Sequence, residues 1–124
     1  DCRIGGLNDE AIDFDHFAKR CRAIKNKIDG ATIGVELNDA SDCQVLRNQI
    51  RNVHIGVRIW WYNKFDPVGL NEGNLIQDNR IEAATRAAVT IGRNCFGNRV
   101  LQNSVEGKVE AVESDNRITG NIRR

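Results

Sequence analysis

A single proline, Pro67, stands in 124 residues, and with only 11 glycines the composition excludes a disordered or linker-like chain. Aromatic residues are scarce at 6%, so turns built from asparagine side chains carry much of the local specification. Charge of one sign is missing too. The 18 basic and 17 acidic side chains leave +1, which gives no bulk electrostatic basis for binding nucleic acid or an anionic membrane. No apolar run approaches the roughly 18 residues of a membrane span. There is no Met and no secretory leader, so the chain reads as processed or excised from something longer. No CxxC, paired-His spacing, serine elbow or phosphate loop occurs, which removes the usual zinc, hydrolase and nucleotide signatures.

What is present is a repeat. "CQVLRNQI" (43–50) recurs as "CRAIKNKI" (21–28), "NLIQDNRI" (74–81) and "NRVLQNSV" (98–105), with a partial copy "NRITGN" (116–121) and a degenerate "CRI" at the start. The frame aligns Asn26, Asn48, Asn79, Asn103 and Asn121, spaced 22, 31, 24 and 18 residues apart. A second apolar run follows each full copy: "IGVEL" (33–37), "IGVRI" (55–59), "AAVTI" (87–91) and a weaker "EAVES" (110–114); "EAIDF" (10–14) has the same shape. Alternation of period two means strands. Short strands repeating at this interval bury a face only if successive repeats stack. Equivalent residues then lie about 4.8 Å apart in neighbouring coils, and the aligned asparagines become a ladder of amides. The alternative is a set of separate, exposed turn asparagines.

The pattern apolar-x-x-Asn-x-apolar, followed by a Gly-Val strand, resembles the right-handed parallel β-helix proteins, including pectate-lyase-like and NosD-type carbohydrate-associated repeats. The expected fold is all-β: a right-handed parallel β-helix (solenoid) of about five coils, with an Asn ladder and one long loop insertion at 60–73, residues 1–124 forming one domain or a fragment of a longer one. The resemblance implies a polysaccharide-binding or polysaccharide-modifying module, secreted, periplasmic or cell-surface, of lyase or epimerase type if it is an enzyme. The competing reading is a non-catalytic segment of an adhesin, spike or self-associating fibre.

The frame places Cys2, Cys21 and Cys43 in one column that Asn74, Asn98 and Asn116 continue. Stacked, parallel side chains seldom reach disulfide torsions, so buried, inert thiols are expected there. Cys95, in the turn "GRNCFGN", is the one expected to be exposed and reactive.

With Ile12, Val35, Val57, Val89 and Val112 set inward, the next position reads Asp13, Glu36, Arg58, Thr90 and Glu113. Two positions on, the column reads Asp15, Asn38, Trp60 and Gly92. In the resembling lyases this strand holds an acidic sugar. If the module is catalytic, Arg58 is the base or charge neutraliser of this stripe, and Asp13, Glu36 and Asp66 are its candidate cation ligands. The plain alternative is a solvated strand of alternating charge.

The interval from Cys43 to Asn74 is 31, against 22 for the preceding pair. The surplus falls in "WWYNKFDPVGLNEG" (60–73), which holds both Trp, the only Tyr and the only Pro. Trp60, Trp61, Tyr62 and Lys64 are the candidate sugar-binding residues, and Asp66 and Glu72 the candidate ligands for a cation whose identity the sequence leaves open, Ca²⁺ being one candidate. Alternatively the aromatics cover a flank of the solenoid. "YNKFDP" resembles a loop of mannuronan epimerases, with Val68 where their motif has His, so only Asp66 carries over, as a ligand. His16, between Asp13, Asp15 and Phe17, reads as a titrating residue or a member of a cation site. His54 reads as a turn residue between two strands.

The repeat leaves strand edges at both ends, with no amphipathic capping helix. The expected outcomes are a longer parent β-helix, self-association through the ends, or discouragement of edge pairing by Arg117, Arg123 and Arg124.

Overall fold

The structure, a computed structural model, describes residues 2–6, 9–62 and 64–123. Its strands follow the repeat: β1 (Arg3–Gly5) and β2 (Glu10–Phe14); β3 (Arg22–Ile24) and β4 (Lys27–Asn38); β5 (Gln44–Leu46) and β6 (Gln49–Trp60). Then come β7 (Asn71–Glu72), β8 (Leu75–Gln77) and β9 (Arg80–Ile91); β10 (Cys95–Phe96), β11 (Arg99–Leu101), β12 (Ser104–Val105) and β13 (Val109–Ala111); and β14 (Arg117–Thr119) with β15 (Ile122–Arg123). No helix occurs among the described residues.

All pairing between these strands is parallel, and each strand pairs with its counterpart in the next repeat. One sheet runs β1-β4-β6-β9-β12-β15, with β2 beside β4 and β13 beside β9; a second runs β3-β5-β8-β11-β14; β7 and β10 form a third. Whole repeats therefore lie on whole repeats, an all-β arrangement compatible with a β-solenoid.

The apolar columns explain why. Val35, Val57 and Val89 are in register, as are Leu37, Ile59 and Ile91, and all six are wholly buried. Facing them, Ala23, Val45, Ile76 and Val100 form the inner column of the second sheet. Each branched side chain contributes about 1.5–3 kcal/mol by leaving water, which a lone repeat with one exposed face could not collect.

The corners between the two main sheets are made by a left-handed residue followed by the frame asparagine. Lys25, Arg47, Asp78 and Gln102 have φ between 55° and 58°, and Gly120 has φ 70°. The next residue is in each case a ladder member. Asn26 Nδ2 donates to Asn48 Oδ1 (3.1 Å), Asn48 to Asn79 (3.0 Å), Asn79 to Asn103 (2.9 Å) and Asn103 to Asn121 (2.9 Å). The second amide hydrogen of Asn48 reaches Ala23 O and that of Asn79 reaches Val45 O. Each Oδ1 also accepts the backbone N–H of the preceding ladder residue. A buried turn that would strand donors and acceptors is thereby satisfied. A second ladder, Asn74 to Asn98 to Asn116, stands at the other corner (2.9 and 3.1 Å). There Cys43 N–H donates to Asn74 Oδ1 (2.9 Å).

Four expectations are corrected. Cys2 does not share a column with Cys21 and Cys43. β1 pairs with Lys27–Asp29, and Cys2 N–H donates to Asn26 Oδ1, so Cys2 heads the Asn26 ladder. It is exposed, while Cys43 is buried and Cys21 lies between. All four cysteines are free thiols. Cys95 is buried rather than exposed, its turn tucking the side chain inward, and burial pushes its thiol up to about 12. In the last full repeat Val109, not Val112, sits opposite Val89. Only Glu106, Gly107 and Lys108 separate β12 from β13, where the previous repeat spends Glu82 to Ala88. Glu110 therefore replaces Glu113 opposite Thr90, and Val112 is 69% exposed. Finally, His54 is no turn residue. It lies within the continuous strand β6, at the register shift between Val53 and Ile55.

Gly34 and Gly56 lie within the long strands β4 and β6. A Cβ on Gly34 would meet the Gly56 carbonyl oxygen at 2.5 Å, and one on Gly56 would meet that of Ala88 at 2.4 Å. The close approach of successive repeats here leaves no room for a side chain at either glycine unless the neighbouring atoms shift.

Candidate functional site

The register brings the predicted stripe together. Asp13 pairs with Glu36, Glu36 with Arg58 and Arg58 with Thr90. Although Glu36 occupies an outward position it is only 1% exposed, because its neighbours close over it. Arg58 Nε lies 2.8 Å from Glu36 Oε2, and the Arg58 guanidinium sits 3.9 Å from the centroid of Trp60. Trp60 Nε1 donates to Asn38 Oδ1 and, at 3.2 Å, to Glu36 Oε1. Asn38 Nδ2 donates to Asp13 Oδ1 (3.1 Å). The guanidinium is thus committed on two sides, to a carboxylate and to a ring face.

The stripe is otherwise acidic. Asp13 titrates above the usual carboxylate range, first through burial and then through the charges of Asp15, Glu36 and Asp9. Glu10 is pushed up to about 7, chiefly by a hydrogen bond shared with Asp9 and by burial. The same shared bond holds Asp9 below its ordinary value.

The insertion forms a different surface. Among the described residues no strand lies between Trp60, the end of β6, and Asn71, the start of β7. Trp61 Nε1 donates to the Asp66 carbonyl (3.3 Å), which pins the loop to its own base. Trp61, Tyr62, Lys64, Phe65 and Arg93 line a groove of ≈ 480 Å³. Tyr62 and Phe65 are exposed, Phe65 at 84%, whereas Trp61 packs partly against the core. Its two cations lie over aromatic faces, Lys64 Nζ 5.2 Å from the Phe65 centroid and Arg93 Cζ 5.3 Å from that of Trp61. Neither forms an ion pair among the described residues. Trp60 joins the two surfaces, its ring meeting Tyr62 edge-on at 5.4 Å.

Asp66 and Glu72 are not brought together. Glu72 lies on β7, opposite Phe96 of β10, whereas Asp66 meets His16 and Asp39. His16 Nε2 is 3.0 Å from Asp66 Oδ2 and 3.2 Å from Asp39 Oδ2. The three donor atoms lie within 4.8 Å of one another. Asp39 is pushed up to about 6, by burial first and then by the neighbouring Asp66 carboxyl. Its Oδ1 accepts from Asn71 Nδ2 (3.0 Å).

Asp39 and Arg93 escaped sequence reasoning, although a signal for them existed. One step beyond the column Asp15, Asn38, Trp60, Gly92 stands the column His16, Asp39, Trp61, Arg93. Reading it as a column predicts both the His16–Asp39 approach and the Arg93–Trp61 stack.

The chain matches no family model, no curated protein and no solved structure.

Proposed function

We propose that the chain is a right-handed parallel β-helix of about five coils that binds an acidic polysaccharide through the groove of its insertion. The observation that carries this reading is the pair Lys64 and Arg93. Both cations border three aromatic rings, Trp61, Tyr62 and Phe65, and both rest on ring faces rather than on carboxylates among the described residues. The exposed rings of Tyr62 and Phe65 beside cations without carboxylate partners among the described residues suit a sugar whose hydroxyls lie at its rim and whose substituent is a carboxylate. The Asp13–Glu36–Arg58 stripe serves this surface by holding Trp60 in place. Because Arg58 is engaged by Glu36, the geometry favours binding over lyase or epimerase chemistry, in which Arg58 would act as the base. Function at the cell surface, in the periplasm or outside the cell belongs to the same proposal.

Oligogalacturonate and alginate oligomers, together with a neutral glycan panel, test it. Lys64→Ala, Arg93→Ala and Phe65→Ala should each weaken binding of an acidic oligomer by about tenfold, the loss of roughly 1–2 kcal/mol. Absence of binding to every acidic and neutral glycan would sink the reading.

A structural role is the second reading, and one observation favours it. Ile118 of β14 is 39% exposed, while Ala23, Val45, Ile76 and Val100 of the same column are buried. A further rung, from a second copy or from more of the same fold, would cover it. Sedimentation that shows a strict monomer at high concentration would count against self-association.

A further inference from the structure

Where the insertion folds back onto the repeats, a site appears that the glycan reading does not use. Three segments far apart in sequence converge there. His16 comes from the turn after β2, Asp39 from the bend just after β4, and Asp66 from the loop between β6 and β7. The convergence is enforced by elements already described. Asp39 takes a left-handed conformation (φ 49°) and is held through Oδ1 by Asn71. Asp66 is fixed through its own carbonyl by Trp61. His16 is flanked by Phe17, stacked at 5.5 Å, and Tyr62, edge-on at 5.0 Å.

The charges do not balance. Two carboxylates face one imidazole, and no Lys or Arg pairs with either among the described residues. The decisive atom is Asp39 Oδ2. Asp39 is 1% exposed, and this oxygen lies buried without a hydrogen bond among the described residues. His16 Nε2 stands 3.2 Å away, but a single N–H on that nitrogen has Asp66 Oδ2 as its aligned acceptor. A buried carboxylate oxygen aimed into a polar cluster and left without a donor costs free energy unless something else fills the gap.

We propose that His16 Nε2, Asp39 Oδ2 and Asp66 Oδ2 bind one divalent transition-metal ion of the zinc type. One imidazole with two carboxylates is a donor set for Zn²⁺, Co²⁺ or Mn²⁺ rather than for Ca²⁺, whose ligands are all oxygen. Donors bound at about 2.0–2.2 Å stand about 3.0–3.5 Å from one another, and the two separations from His16 Nε2, 3.0 and 3.2 Å, fall within that span. A dication neutralises both carboxylates, supplies the partner Asp39 Oδ2 lacks and ties the insertion to the stacked repeats. Three protein ligands leave a further coordination position for water or a ligand.

The test uses the full chain with Cys2→Ser and Cys21→Ser as background, so that accessible thiols do not compete for metal. ZnCl₂ is titrated into chelator-treated protein by calorimetry, and CoCl₂ is followed by visible absorption. The expected result is one ion per chain, a Co²⁺ spectrum of low coordination number, and a raised melting temperature with Zn²⁺. His16→Gln and Asp66→Asn should each weaken binding by roughly tenfold or more, since even the outer partners of metal ligands cost 10–100-fold, while His54→Gln leaves it unchanged. Both test variants alter partly exposed side chains, so they keep the proposal testable should Asp39→Asn fail to fold. No one-to-one Zn²⁺ binding would overturn it. So would binding that survives both His16→Gln and Asp66→Asn, or Ca²⁺ binding as tight as Zn²⁺ and indifferent to His16→Gln. Glycan affinity read on the same variants keeps the two proposals apart, because the groove residues Lys64, Phe65 and Arg93 are intact in them.

Discussion

Arg58 covers Glu36 from the next repeat, its Nε 2.8 Å from Oε2, and leaves an outward-facing carboxylate only 1% exposed. Two oppositely charged residues of one outward column have become a half-buried unit that also orients Trp60. Truncating Arg58 to alanine strands the Glu36 charge beneath Trp60. It should destabilise the fold by about 2–4 kcal/mol, somewhat less than for a fully buried pair. Adding Glu36→Gln should recover part of that loss. Urea midpoints at constant slope measure both effects; an Arg58→Ala variant as stable as the parent would contradict the arrangement.

Position along the asparagine ladder sets the cost of breaking it. Asn79 accepts from Asn48 and donates to Asn103 and to Val45 O, all in the interior. Asn79→Ala leaves several buried groups without partners and should cost about 3 kcal/mol or more. Asn121 ends the described ladder in a partly exposed position, so Asn121→Ala should cost about 1 kcal/mol or less. Equal effects at the two sites would argue against the ladder as a source of stability.

Thiol reactivity should follow burial. A chromogenic disulfide reagent at pH 8 should label Cys2 quickly and Cys21 more slowly. Cys43 and Cys95 should react only after denaturation, because burial removes access and also raises both thiols. Rapid native labelling of all four would refute the assigned positions.

Glu10 makes stability fall as pH rises. Its folded value, about 7, lies above its ordinary 4.5, so the folded state binds this proton more tightly than the unfolded chain does. The contribution is complete below pH 4.5 and is lost progressively as pH approaches and passes 7. Asp9 shifts the opposite way, with a window below 3.8, and does not mask it. Denaturation midpoints of Glu10→Gln should show a flatter profile between pH 4.5 and 7; an unchanged slope would remove Glu10 as its source.

Gly56→Ala tests the closeness of the repeats. The new methyl group would lie 2.4 Å from the Ala88 carbonyl oxygen and 2.7 Å from Ile81 Cγ2. Neither the backbone nor the packed isoleucine can withdraw freely, and the expected cost is about 1–3 kcal/mol. A neutral substitution would mean that the neighbouring repeat shifts at little cost.

Periodicity was enough to mark strands, their stacking and the aligned asparagines, because parallel in-register pairing places identical sequence positions over one another and rewards identical side chains there. The same rule makes Asp13, Glu36 and Arg58 neighbours from their positions in the repeat alone. It failed where the repeat changes length. Three residues between β12 and β13 moved Glu110 into the place expected of Glu113, and Cys2 slipped to the other corner because a fragmentary copy fits two frames.

What the sequence determined alone was therefore the one-dimensional part of this protein, the columns. The tertiary structure decided what lies across columns and beyond them: that Arg58 closes over Glu36, that Cys95 turns inward, and that the insertion returns to set Asp66 against His16 and Asp39. Those contacts depend on side-chain direction and on the path of an irregular loop, and neither is encoded by a repeating pattern.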